Sequence, residues 1–244
     1  MAKIVLNFGL DTMVPSAKDK LIAPKISTLS APQIPDLSAE RKYLLGVFVL
    51  NFDLSMTVSN KHRQLLFNII RKAEDGLDEY CRAAEKLRLY LSERGRRLSA
   101  YFDAVRGFEQ CLAHLYQAVC CLNALTKGLD GTRQFGRNDG SILERVYLMH
   151  SEIKHMDERF VTGDVADETS FMLFSRADTL GTSAASMSNI PMWLTDAGLE
   201  CAKCSIAYSE LAQELRELSQ QAKTLATLKA NVATPPSGLQ ASSS

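Results

Sequence analysis

Ser151, His155 and Glu158 stand four and three residues apart, a spacing that stacks side chains on one face of a helix. Their types are those of a nucleophile, a base and an orienting carboxylate. Neighbours on successive turns rarely reach the hydrogen-bond geometry such a triad needs. The better reading sets this face against another helix or a second subunit, where His155 meets an Arg that spacing within the chain does not supply. His150 lies on the same segment. At about 100° per residue it points about 140° from His155, so the two do not share one metal ion. The spacing also misses His-Glu-x-x-His by one residue, and no metal or cofactor is expected.

Two other groupings carry chemistry by type. Cys201-Ala-Lys-Cys204 has the spacing of half a zinc site or of a redox pair. It continues into Tyr208, Leu211, Leu215, Leu218, Ala222 and Leu225 at alternating three and four, which predicts both thiols on the apolar stripe of a last helix. No second Cys pair completes a site, so core packing is the expected role. The run Arg82 to Arg97 holds Arg82, Lys86, Arg88, Arg94, Arg96 and Arg97 against Glu85 and Glu93, a net charge of +4 in sixteen residues. It is either a solvated face or a phosphate-binding patch; few aromatics interleave to stack bases.

The elements that position these groups follow from periodicity. Residues 1–58 form an irregular arm, with four of the seven prolines before residue 37 and a short apolar element from Lys42 to Phe52. Ser59-Asn60 are plausible caps for a long amphipathic helix through Ile69, Ile70, Leu77, Tyr80 and Leu87. Arg94-Gly95-Arg96 interrupts it. A second long helix then repeats the period through Tyr101, Phe108, Leu115 and Leu122 to Gly128. Residues 128–140 carry four glycines and form a loop. A third helix starts at Asp139 or Ser141, with Ile142, Val146, Met149, Ile153, Met156 and Phe160 inward and His155 on the opposite side. Residues 163–194 are mixed, with Phe171–Phe174 as a short strand or docked turn. A last helix runs from Thr195-Asp196 to about Asn231, before a disordered, uncharged tail over 233–244.

The expected fold class is therefore all-α: four to five long antiparallel helices over 59–232. Composition agrees. The 244 residues are 46% hydrophobic and 23% charged, with only 13 Gly, which disfavours many short strands. Lys+Arg and Asp+Glu number 28 each, so no global positive charge holds the chain to nucleic acid, and sequence-specific DNA binding is not expected. The start reads as no signal peptide, and no apolar run reaches a membrane span. Six cysteines without secretion signals are expected to be reduced thiols in the cytoplasm.

The Asp139-Gly-Ser helix start, the Leu143-Glu-Arg that follows, and Ser151-Glu-Ile-Lys-His-Met-Asp-Glu-Arg159 resemble the signature helix of HEPN-like all-α domains. The segment from Tyr101 to Ala118 is similar to the one preceding that helix in uncharacterised bacterial members. The resemblance spans roughly residues 60–230, and only 139–159 is at all specific. It implies a four-to-five-helix bundle, often dimeric, in toxin-antitoxin, phage-defence or RNA-processing settings. Active members cleave RNA without metal, using an Arg, a polar residue after it, and a His four to six positions beyond the Arg. By position, His155 matches the His and Ser151 the polar residue, with His150 where the Arg is expected. Arg145 and His150 satisfy the Arg-x-x-x-x-His spacing, with Val146 after the Arg. The resemblance thus implies a homodimer that is a metal-independent endoribonuclease, or a catalytically degraded relative binding RNA or an antitoxin-like protein. Arg94, Arg96, Arg97 and Arg159 are the RNA contacts it suggests. The alternative is a non-enzymatic scaffold whose long helices pack on a partner.

Overall fold

The computed structural model describes residues 29–51, 59–92, 98–126, 138–155, 192–201 and 204–227. Arg94, Arg96, Arg97, Met156, Arg159, Phe160, the 171–174 piece and the tail from 233 lie outside the described residues, as does the arm before residue 29. Among the described residues there are five α-helices: α1 (Leu44–Asn51), α2 (Asn60–Ser92), α3 (Leu98–Thr126), α4 (Ile142–Lys154) and α5 (Tyr208–Thr227). The chain is a helical bundle, as its composition and periodicity indicate.

α2 starts where a cap is available. Ser59 Oγ accepts the His62 N–H at 3.4 Å and its carbonyl takes the Arg63 N–H at 3.0 Å. α2 and α3 are antiparallel, since Tyr90 meets Tyr101, Tyr80 meets Phe108 and Lys72 meets His114, positions that ascend on one helix as they descend on the other. Their approach is close. A Cβ on Gly107 would sit 2.9 Å from Ala83 Cβ, so a residue without a side chain is what lets the two backbones cross there. α5 lays Tyr208, Leu211, Ala212, Leu215, Leu218, Ala222 and Ala226 into the core, packing against α2 and α1.

The last helix is shorter than the periodicity implies. Ahead of it lies a three-stranded antiparallel sheet, β1 (Trp193–Leu194), β2 (Gly198–Glu200) and β3 (Ser205–Ala207), and the helix begins only at Tyr208. Thr195 is not a helix cap. Its Oγ1 donates to the Gly198 carbonyl and accepts the Gly198 N–H, both at 3.1 Å, closing the β1–β2 turn. Gly198 is required because a Cβ would fall 2.1 Å from the Ile206 carbonyl oxygen across the sheet. Cys201 and Cys204 therefore sit at the end of a hairpin and not on a helical stripe, although both still contribute to the core.

The described part of the arm is docked. Leu29 and Leu37 are buried in the main core. Asp196 accepts the Ser30 and Ala31 N–H groups at 2.8 and 3.0 Å and the Ser30 hydroxyl at 2.7 Å. Tyr80 donates to the Pro35 carbonyl at 3.1 Å. Among the described residues no helix is long and apolar enough to cross a membrane.

Candidate functional site on the fourth helix

α4 carries Arg145, His150 and Ser151, with His155 as its C-cap, so its local folding decides where they go. Ser141 is its N-cap, with Oγ accepting the Glu144 N–H at 3.1 Å. Glu144 reaches back to the N–H groups of Asn138 and, at 2.7 Å, Gly140. This reciprocal arrangement, plus positive φ at Asn138 and Gly140, fixes the start of the helix. Val146 and Met149 are buried, which sets the rotation of every other residue.

That rotation aims Arg145 at β3 and α5. Its Nη1 and Nη2 donate to the two Glu210 carboxylate oxygens at 2.9 and 2.6 Å, and Nη1 also donates to the Ser205 carbonyl at 2.9 Å. The bidentate pair raises the Arg145 pKa and holds Glu210 below the usual carboxylate range. Arg145 Nε is buried without an acceptor among the described residues. The guanidinium ties the helix to the sheet.

His150 faces elsewhere. Its ring lies 4.7 Å from that of Tyr116 on α3, tilted by 30°, and Tyr147 stacks on the same Tyr116 at 5.9 Å. Burial, then the charges of Lys154 and His155, push the His150 imidazole below its ordinary 6.5, so it is neutral at neutral pH. Tyr116 is held up to about 12 by its bond with Cys120 and by burial, and stays a neutral phenol. The result is a half-exposed aromatic ledge with Lys154 one turn away.

His155 is the C-cap, beyond the regular helix, and its N–H donates to the Ser151 carbonyl at 3.1 Å. With φ −92° and ψ 6° it departs from the regular helix that would set it about 140° from His150. His155 and Ser151 are both half-buried. Arg145 and His150 diverge, one to the sheet and one to α3, so the spacing that pairs them in sequence does not bring them together within the chain. Arg159 lies outside the described residues. Among the described residues no group of three or more His, Cys, Asp or Glu is placed to hold a metal ion.

Sequence reasoning did not single out the outward side of α1. The helix is apolar all round: Leu44 and Phe48 enter the core while Tyr43, Val47 and Leu50, spaced four and three, face outward. Tyr43 is 92% and Leu50 88% exposed. The signal was present as an uncharged run with no polar side, which normally marks a buried helix. No protein-family model, curated protein or solved structure matches this chain.

Proposed function

We propose that the protein is a non-enzymatic helical interaction module that self-associates through α1. The observation that carries this reading is the exposed Tyr43, Val47 and Leu50 stripe on a helix whose other side is already in the core. Apolar anchors at such spacing suit helix-to-helix recognition. α1 has no charged residue to select a charged partner, and an uncharged stripe is self-complementary when two copies pair about a two-fold axis. Three exposed side chains are few against the roughly 800 Å² per partner of a stable interface, so the association is transient.

Light scattering of the full chain over a concentration series tests this. Wild type is expected to gain mass reversibly, while a Tyr43→Asp, Leu50→Asp double variant stays monomeric with an unchanged circular dichroism spectrum. A wild type monomeric throughout, or a variant that associates equally, overturns it.

A second reading keeps RNA as the ligand, without catalysis, and rests on the Tyr147–Tyr116–His150 ledge beside Lys154. Half-exposed rings next to a cation suit stacking of unpaired bases. Against cleavage stands the engagement of Arg145 by Glu210, which leaves that guanidinium committed to the fold. Single-stranded RNA incubated with the chain in EDTA is expected to remain intact and to be retained less by Tyr147→Ala. Cleavage lost in His155→Ala would instead restore the HEPN-like ribonuclease.

A further inference from the structure

In the β2–β3 ladder Glu200 pairs with Ser205 and Leu199 with Ile206, so the next opposed residues are Cys201 and Cys204. The Cys201 N–H donates to the Cys204 carbonyl at 2.9 Å, closing the hairpin. Directly opposed residues of an antiparallel pair have Cα atoms about 4.5–5.5 Å apart, inside the roughly 4.4–6.8 Å a disulfide spans. The sulfurs are already 3.5 Å apart. Closing them to about 2.05 Å needs a movement on the order of 1.5 Å and no change of register. Cys201 is buried, while Cys204 is half-buried and offers the pair a route to solvent.

We propose that Cys201 and Cys204 are a reversible redox site, closing to an intramolecular disulfide by exchange with a small-molecule disulfide such as oxidised glutathione. Cys204 loses its proton to solvent, and its thiolate attacks one sulfur of the external disulfide, breaking that bond and releasing one thiolate. Cys201, deprotonated in turn, attacks Cys204 Sγ of the mixed disulfide and expels the second. The dithiol loses two electrons, the external disulfide gains them, and both released thiolates take up protons. The hydrogen bond shared with Cys201, then burial, raise the Cys204 thiol, while Arg145 and Glu152 face it with opposed charges. Exchange is therefore slow at neutral pH and quickens as pH rises. Closure also removes the thiol that donates from Cys204 to the Arg145 carbonyl at 3.5 Å. The hairpin becomes covalently stapled beneath α4.

The test titrates the full chain with oxidised glutathione, blocks remaining thiols with maleimide, and maps peptides by mass spectrometry. Wild type is expected to lose two of its six thiols together, with 201 and 204 joined and dithiothreitol restoring both. Cys201→Ala is expected to stop at a glutathione adduct on Cys204. A wild type that keeps all six thiols, that accumulates only the adduct, or that first joins another pair overturns the proposal. Circular dichroism of Cys201→Ala and Cys201→Ser separates failure to fold from failure to react.

Discussion

α5 and α1 lie against the same helix, α2, yet they meet solvent in opposite ways. α5 buries one stripe and turns Glu, Gln, Lys and Ser outward, so the chain itself satisfies it. α1 buries Leu44 and Phe48 and leaves an equally apolar side outside. The difference separates two uses of hydrophobic sequence. In α5 it specifies the fold; in α1 half of it is surplus to the fold and is available to something else.

The largest expected effect follows from truncating one leucine on each helix. Leu215→Ala, in a site 1% exposed, is expected to cost about 2–5 kcal/mol by urea denaturation, whereas Leu50→Ala stays within about 0.5 kcal/mol of wild type. Equal losses would mean that α1 is as fully packed as α5. Glycine substitutions sharpen the contrast at smaller magnitude. Gly107→Ala pushes a Cβ into Ala83 at the α2–α3 crossing and is expected to destabilise by about 1–3 kcal/mol. Gly46→Ala on α1 meets nothing within 4 Å and is expected to stabilise by about 0.5–1 kcal/mol, read as a higher Tm.

The smallest effect is a difference in acid response. Glu210, at the start of α5, is held below its usual 4.5 chiefly by Arg145. Its contribution is present above 4.5 and fades as pH falls through its lowered value. Glu74, which accepts the Leu45 N–H of α1 at 2.9 Å, is raised by burial. Its contribution has the opposite sign: full below 4.5 and lost as pH rises through the raised value. Glu210→Gln is expected to flatten the loss of stability on acidification and Glu74→Gln to steepen it, as followed by urea midpoints from pH 6 to about 3. Identical slopes would remove the electrostatic half of the comparison.

The two long helices were readable because each repeats its period over many turns and ends at a punctuating residue; Ser59 caps α2 where expected. The sheet was not. Strands of two and three residues are too short to display a period of two, and Cys201, Cys204, Tyr208 and Leu211 continue helical spacing across a hairpin by coincidence. Thr195 offered the same hydroxyl a helix cap would use. Gly198 was the available clue, a glycine where strands approach closely. At the candidate site, Ser141 and the buried Val146 and Met149 were legible, but the partner of Arg145 lies 65 residues away and no local spacing announces it. The HEPN-like reading remains a proposal resting on residues 139–159.

Asp196 gathers Ser30 and Ala31 across 166 and 165 positions of chain. During synthesis this latch has no receptor until Asp196 has been made, 166 residues after Ser30. The long helical pair, complete by Thr126, can therefore form while Ser30 and Ala31 still lack their acceptor. The docking of the arm on Asp196 waits on synthesis of the hairpin that carries it.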